Sequence, residues 1–145
     1  MSIIQNKDIL TRITEAIIGL IALTIGGLIY ILYRSENLLM FDWFDNLNLS
    51  SLIDRLRTST DTTSVYGWIK YNIPAGLWLF SYMFVIDSIW WKDKNKYYMY
   101  FLYVLPILAI SSELMQLFKL CPGTFDILDI ISYFLAILIF LITKK

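Results

Sequence analysis

Four long apolar stretches dominate the chain, at residues 16–33, 73–91, 97–118 and 127–143. Each is 17 to 22 residues long, and an α-helix needs about 20 residues, within a range of roughly 17–25, to cross the hydrocarbon core of a bilayer. Because backbone amides in lipid must be paired within the segment, and four short spans cannot close a barrel, each span is predicted to be helical. The pattern therefore predicts an all-α integral membrane bundle of four transmembrane helices, forming a single membrane domain over residues 1–145.

Residues 34–72 form the only long connection between predicted spans. Within it, apolar residues recur at the i, i+3, i+4 and i+7 spacing of an amphipathic helix, namely at Leu49, Leu52, Ile53 and Leu56. Since this apolar density would be costly in water, we expect an interfacial amphipathic segment between the first two transmembrane helices, at the outer face. The alternative is an exposed loop that carries a few apolar residues.

The first span contains small residues at a spacing that favours close helix packing. Ala22 and Gly26 lie four residues apart, and Gly19 and Gly27 are nearby, so a neighbouring helix is expected to approach this stripe. The span ends in Tyr-Ile-Leu-Tyr-Arg at residues 30–34, with no small-residue cleavage site. We therefore expect a retained membrane anchor rather than a signal peptide.

The basic residues that flank the spans predict the orientation. The five-residue turn between the second and third spans contains Lys92, Lys94 and Lys96, and short segments carry most weight in the positive-inside rule. The basic residues of the long connection are diluted by acidic ones. We therefore expect both termini in the cytoplasm, with residues 34–72 and the short loop 119–126 at the outer face.

Composition excludes several classes of function. The chain is 58% hydrophobic and carries 12 basic and 12 acidic residues, so it lacks the basic character of a nucleic-acid binder. It contains no histidine, which removes the commonest general base, a frequent metal ligand, and every Ser-His or Cys-His nucleophile pair. One cysteine, Cys121, excludes an internal disulfide. No cofactor is predicted, and the composition inclines against an enzyme without excluding one.

Three ionisable residues fall within the predicted spans: Asp87, Glu113 and Asp129. A charge near the centre of a membrane helix costs about 2.5–3.5 kcal/mol on insertion scales, so each is a candidate for function. Asp87 lies about one turn from the cytoplasmic end of its span, close to Lys92 and Lys94. A structural ion pair or a solvated position accounts for it.

The other two carboxylates belong to a predicted polar cluster. Glu113 and Gln116 lie three residues apart and share a helix face, and a short Pro-Gly loop then leads to Asp126 and Asp129, again three apart. Antiparallel helices joined by so short a loop place these four residues at similar depth. Tyr133 lies one turn further along the face of Asp126 and Asp129. We predict that Glu113, Gln116, Asp126 and Asp129 form a ligand-binding cluster at the outer end of the bundle, with no metal site assigned.

Helix capping offers a different explanation for the two aspartates. Asp126 at the N-cap with Asp129 at N3 is an ordinary helix start, favoured by free backbone amides and the helix dipole. Capping does not explain Glu113, which lies near the C-terminal end of its helix, where a negative charge is disfavoured. The carboxylate must be compensated by a bound cation, by protonation on desolvation, or by one of three basic residues, Arg34, Lys70 or Lys119.

The arrangement Glu113-x-x-Gln116, a short loop, and Asp126-Ile-Leu-Asp129 entering a final apolar helix resembles the VanZ-like family of small bacterial membrane proteins. The resemblance covers roughly residues 73–143, and the family is named for a teicoplanin-resistance protein. The chain departs from the family pattern at two places. Residues 74–78 lack the Asp-Lys pair and the histidine that the family often has there, and Tyr133 stands in the region of the final span where the family usually has an asparagine. The resemblance implies an envelope-associated protein of the bacterial inner membrane, with no settled enzymatic mechanism.

Three functions remain open on the sequence. The first is a non-enzymatic protein that binds an amphiphilic or cationic ligand, such as a cell-wall-related amphiphile, at the outer face. The second is an enzyme acting on a lipid-linked phosphate, with the carboxylates holding Mg²⁺ or Mn²⁺. The third is a membrane subunit or immunity-type partner that docks another membrane protein through the small-residue stripe of the first span. Membrane lipid is an expected partner in all three.

Overall fold

A computed structural model describes residues 3–59, 66–90 and 95–144, with side chains from residue 8 onward. The described residues are 82% helical and contain no strand. The predicted all-α class is therefore confirmed. The helices are α1 (Ile3–Tyr33), α2 (Leu39–Asn46), α3 (Ser50–Thr58), α4 (Gly67–Tyr71), α5 (Ile73–Ile89), α6 (Lys96–Leu117) and α7 (Ile127–Thr143).

Three helical segments of the described chain are long and apolar enough to cross a membrane, as expected of an integral membrane protein: Asp8–Tyr33, Gly67–Ile89 and Lys96–Leu117. The second joins α4 to α5, since Asn72 continues the helical backbone with φ −106° and ψ −36°. Helix α7 is apolar but has 17 residues, which at 1.5 Å per residue span about 25 Å against a hydrocarbon thickness of about 30 Å. Its role as a fourth span stays a prediction.

The long connection contains two short helices, α2 and α3. The apolar periodicity at residues 49–56 correctly predicts α3, in which Ile53 is buried whereas Leu52 and Leu56 are exposed. Arg57 ties α3 to the C-terminal end of α1, because its guanidinium donates hydrogen bonds to the carbonyls of Ile31 and Arg34, the latter at 3.0 Å. A cation that satisfies the last carbonyls of a helix stabilises that end. The interfacial position of α3 stays a prediction.

Helix α5 is the centre of the bundle. It packs most extensively against α1, next against α7, and less against α6, and its buried residues surround it on several sides. The main hydrophobic core contains Met83, Phe84, Tyr98, Leu102 and Phe140. We call one end of the bundle the site end, where α1 and α6 finish and α5 and α7 begin, and the opposite end the terminus end.

Small residues let α1 approach α5 closely, as the sequence predicts. A Cβ atom on Gly26 would lie 2.9 Å from Cδ1 of Trp78, and one on Gly19 would lie 3.1 Å from the carbonyl oxygen of Ser81. Ala22, between the two glycines, is buried. Gly19, Ala22 and Gly26 therefore pack against a helix of the same chain, and docking of another protein on this stripe stays a prediction.

We expect Gly26→Leu to destabilise the protein by about 1–3 kcal/mol, because the new side chain must displace Trp78 and separate α1 from α5. Gly27→Leu is the matched control, since a Cβ at Gly27 would have no neighbour within 4 Å. Leucine there should be neutral or slightly stabilising, given the low helix propensity of glycine. Unfolding of both variants in detergent, followed by circular dichroism, measures the difference. Equal stability would contradict the packing described here.

A buried ion network joins α1, α5, α6 and α7 at the terminus end. The ammonium of Lys144 lies 2.5 Å from Oε1 of Glu15 and 2.6 Å from Oδ2 of Asp87. The Tyr98 hydroxyl donates to the other oxygen of Asp87 at 2.5 Å. The predicted structural ion pair of Asp87 is confirmed, with Lys144 as a partner, and the solvated alternative is wrong because Asp87 is fully buried. Lys92 and Lys94 lie outside the described residues.

Candidate ligand-binding site

A cavity of about 700 Å³ lies at the site end of the bundle. Its walls come from α1, α4, α5, α6, α7 and the loop between α6 and α7. Its polar lining includes Arg34, Glu113, Gln116, Asp126 and Asp129, and its apolar lining includes Pro74, Ala75, Leu79, Leu105 and Ala109. A cavity of this size falls in the range of small-molecule sites, about 300–1,000 Å³.

Asn72 holds the two aspartates of α7 against the start of α5. Its amide nitrogen Nδ2 donates to Oδ2 of Asp126 at 2.7 Å and to Oδ1 of Asp129 at 2.9 Å. An asparagine at the N-cap usually accepts from the backbone of its own helix, but the side chain of Asn72 makes no such cap. Only 2% of Asn72 is exposed, so these hydrogen bonds form away from water.

The capping explanation is correct for Asp126, but capping uses only one of its oxygens. Oδ1 accepts a hydrogen bond from the backbone nitrogen of Leu128 at 2.9 Å, while Oδ2 receives the bond from Asn72. Asp129 lies in the first turn of α7, as predicted. Its Oδ1 is bound by Asn72, and it lines the cavity together with Tyr133 one turn further on.

Glu113 is the most deeply buried acid of the cavity, with 5% of the residue exposed. Its Oε2 accepts a hydrogen bond from the backbone nitrogen of Asp126 at 3.2 Å. In the described chain it forms no ion pair, so of the three alternatives the pairing with Arg34, Lys70 or Lys119 is not formed, while a bound cation and protonation stay predictions. Because α6 turns its C-terminal end toward α7, the partner that the fold supplies is the backbone amide of Asp126, a neutral donor.

Gln116 lies one turn beyond Glu113 and faces the loop between α6 and α7. Gly123 has a φ of +127°, and a Cβ atom there would lie 2.6 Å from Nε2 of Gln116. Only glycine tolerates that backbone conformation and that contact together. The structure thus brings Glu113, Gln116, Asp126 and Asp129 to the wall of one cavity, while their role in binding stays a prediction.

Arg34 also lines the cavity, and aromatic rings surround its guanidinium. Its guanidinium carbon lies 5.2 Å from the ring centroids of both Tyr30 and Tyr71, within cation–π distance. Tyr30 in turn packs on Trp78, with 5.1 Å between ring centroids. The Nε of Arg34 is buried and finds no hydrogen-bond partner among the described residues. The sequence names Arg34 only as a possible partner of Glu113, and it does not indicate this aromatic setting.

Asn72 is the site residue that sequence reasoning missed. The available signal was its position, since it is a polar residue placed directly before a Pro-containing apolar span. That position is ordinarily interpreted as a helix cap. The described residues contain no group of three or more acidic, histidine or cysteine side chains arranged to hold a metal ion.

Comparisons with known proteins add no assignment. The sequence matches no family model, no curated protein and no solved structure. The VanZ-like resemblance therefore stays a prediction carried by the Glu113, Gln116, Asp126 and Asp129 pattern. Any functional conclusion must come from the chemistry of the cavity itself.

Proposed function

We propose that this chain is a multi-pass, VanZ-like membrane protein that binds a cationic amphiphile in the cavity at its site end. The bound molecule places its charged head beside the carboxylates and its apolar part against α5 and α6. Binding is the function, and no bond is made or broken. The proposal includes a location in a bacterial inner membrane, both termini in the cytoplasm, α7 as a fourth span, α3 at the interface, and the cavity at the outer face.

The observation that carries this proposal is the state of Glu113. The carboxylate is buried at the cavity wall and holds one backbone hydrogen bond, with no basic side chain paired to it in the described residues. A buried charge without a partner is strongly unfavourable. A ligand cation supplies the missing partner.

The shape and lining of the cavity support an amphiphile over a small ion. Its volume of about 700 Å³ far exceeds the roughly 30 Å³ that one water molecule occupies in the liquid. Leu79, Leu105 and Ala109 line it alongside the acids. An alkyl chain fits this apolar wall, because burying apolar surface contributes about 25 cal/mol per Å².

Glu113→Gln tests the proposal directly. We expect wild-type protein in maltoside micelles to bind n-dodecylammonium, and the variant to bind it about tenfold to a hundredfold more weakly, because hydrogen bonds to charged groups contribute about 1.5–3 kcal/mol. Microscale thermophoresis gives both dissociation constants. Glutamine preserves the size of the side chain, and a retained helical spectrum confirms folding.

Glu36→Gln is the matched control for this measurement. Glu36 is an acid with 67% of its side chain exposed, paired with Arg57 at 3.3 Å, and exposed pairs contribute little to stability. Its loss should leave dodecylammonium affinity unchanged. Equal affinity of wild type and Glu113→Gln, or no binding by the wild type, would refute the proposed function.

Cysteine labelling tests the orientation, and it requires that Cys121 be replaced first. Cys121 is the one cysteine of the chain, it lies in the loop at the site end, and its thiol is half-buried 3.6 Å from the carbonyl oxygen of Ser112. In a Cys121→Ser background, Ser35→Cys places an exposed thiol at the same end and Lys96→Cys one at the terminus end. A membrane-impermeant maleimide should label residue 35 in intact cells and residue 96 only after lysis; the reverse pattern would place the cavity in the cytoplasm.

A further inference from the structure

We infer that Arg34 is the anion-binding residue of the cavity, so that the ligand is an amphiphile whose head group carries a phosphate beside its ammonium. This inference rests on the proposed function, which requires only the cationic part of the ligand. It assigns a second, oppositely charged part to the same head group.

Arg34 and the acids come to the cavity from different helices. Arg34 reaches the cavity from the end of α1, whereas Glu113 belongs to α6 and Asp129 to α7. In the described residues its guanidinium forms no ion pair with either acid. A cavity lined by a guanidinium and by carboxylates that are not ion-paired with it matches a ligand with charges of both signs.

Aromatic rings hold the Arg34 guanidinium in place. Tyr30 and Tyr71 contact it through their rings, which restricts its motion but supplies no negative charge. The buried Nε donor remains without an acceptor in the described part of the chain, and an unsatisfied buried donor is costly. A phosphate presents several acceptor oxygens to the planar fork of a guanidinium, which is the geometry that arginine binds best.

The acids leave room for an ammonium on the other side. Asn72 occupies Oδ2 of Asp126 and Oδ1 of Asp129, and a backbone amide occupies Oε2 of Glu113. Within the described part of the chain, one oxygen of Asp129 and one of Glu113 remain as acceptors. An ammonium group has three N–H donors, so it can bind both remaining oxygens while the adjoining phosphate faces Arg34.

Four probes test this inference by thermophoresis in maltoside micelles; three carry the same twelve-carbon alkyl or acyl chain and one carries none. They are dodecanoyl lysophosphatidylethanolamine, with both charges; n-dodecylammonium, with the cation alone; dodecyl phosphate, with the anion alone; and phosphoethanolamine, which has the head group without a chain. We expect the zwitterionic lipid to bind wild type at least about tenfold more tightly than either singly charged amphiphile, and also more tightly than phosphoethanolamine.

Arg34→Gln should remove this advantage selectively. The variant should bind the zwitterionic lipid about tenfold more weakly but dodecylammonium at least as tightly as wild type does, because it removes a positive charge from the cavity, whereas Glu113→Gln should weaken both. Arg34→Lys keeps the charge but loses the bidentate fork, so it should recover only part of the affinity. Arg55→Gln, an exposed arginine on α3, is the control and should match wild type.

The outcomes separate this inference from the proposed function. Equal affinity of wild type for the zwitterionic lipid and dodecylammonium, or equal losses of both on Arg34→Gln, would overturn the role of Arg34 and leave the cation site intact. Binding of neither amphiphile would refute the proposed function, and this inference with it. Phosphoethanolamine binding as tightly as the lipid would support the head-group chemistry and identify a soluble ligand, against the proposed amphiphile.

Discussion

Replacing Lys144 with methionine is expected to lower the free energy of unfolding by roughly 3–5 kcal/mol, the usual cost of removing one partner from a buried ion pair. Lys144 neutralises Glu15 and Asp87 together, at 2.5 and 2.6 Å. Methionine fills a similar apolar volume but leaves both carboxylates without that charge, and Asp87 is fully buried. Chemical denaturation in detergent, followed by circular dichroism, measures the loss.

Lys96→Met is the matched control for this prediction. Lys96 is exposed at the start of α6 and contacts the ring of Tyr97, so its replacement should change stability by less than about 0.5 kcal/mol. A second variant, Asp87→Asn in the Lys144→Met background, should recover part of the loss because it removes one of the two stranded charges. Equal stability of Lys144→Met and Lys96→Met would show that the terminus-end network does not stabilise the bundle.

Replacing Asn72 with alanine is expected to cost about 3–6 kcal/mol, because hydrogen bonds to charged groups contribute about 1.5–3 kcal/mol each and Asn72 donates two of them. Asn72→Asp should cost more than the alanine variant, since it places a third carboxylate beside Asp126 and Asp129. Both variants should also weaken dodecylammonium binding, because the acids lose their fixed positions. Unfolding and thermophoresis measure the two effects on the same samples.

The aspartate variant distinguishes two roles of Asn72: donating hydrogen bonds to Asp126 and Asp129, and capping the helix that follows it. Aspartate caps helices as well as asparagine does, so a capping role for Asn72 predicts that Asn72→Asp retains wild-type stability. If Asn72 instead stabilises the protein by donating to Asp126 and Asp129, Asn72→Asp should be less stable than Asn72→Ala. Asn46→Ala is the control, because Asn46 is exposed and its amide donates only to the carbonyl of Asp42 in its own helix. It should be nearly neutral.

The cavity exists because α5 packs unequally on its neighbours. It packs more extensively against α7 than against α6, and a Cβ on Gly76 would lie 3.0 Å from the carbonyl oxygen of Ser132, so α5 and α7 approach closely. Helix α6 lies further out, with Leu105 and Ala109 lining the space that remains. Two polar clamps, Asn72 at the site end and Lys144 at the terminus end, join α5 to α7 across this close contact.

Much of the fold could be predicted from local pattern. Apolar runs of membrane-spanning length correctly predicted the helices, and the spacing of Leu52, Ile53 and Leu56 correctly predicted α3. The grouping of Glu113 with Asp126 also followed from the sequence, since a short Pro-Gly loop constrains the helices on either side to meet. These features depend on residues close together in the chain, so periodicity and loop length suffice to predict them.

The sequence by itself determined the helical class, the small-residue face of α1 and the meeting of four polar residues beside one loop, because each depends on neighbours within a few turns. Only the tertiary structure decided which distant groups compensate the buried charges. Asn72 meets Asp126 and Asp129 across 54 and 57 residues, and Lys144, just after α7, binds Asp87 on α5. The physical reason is that a buried charge requires a partner of suitable chemistry without specifying where in the chain it lies, and helix packing makes that choice.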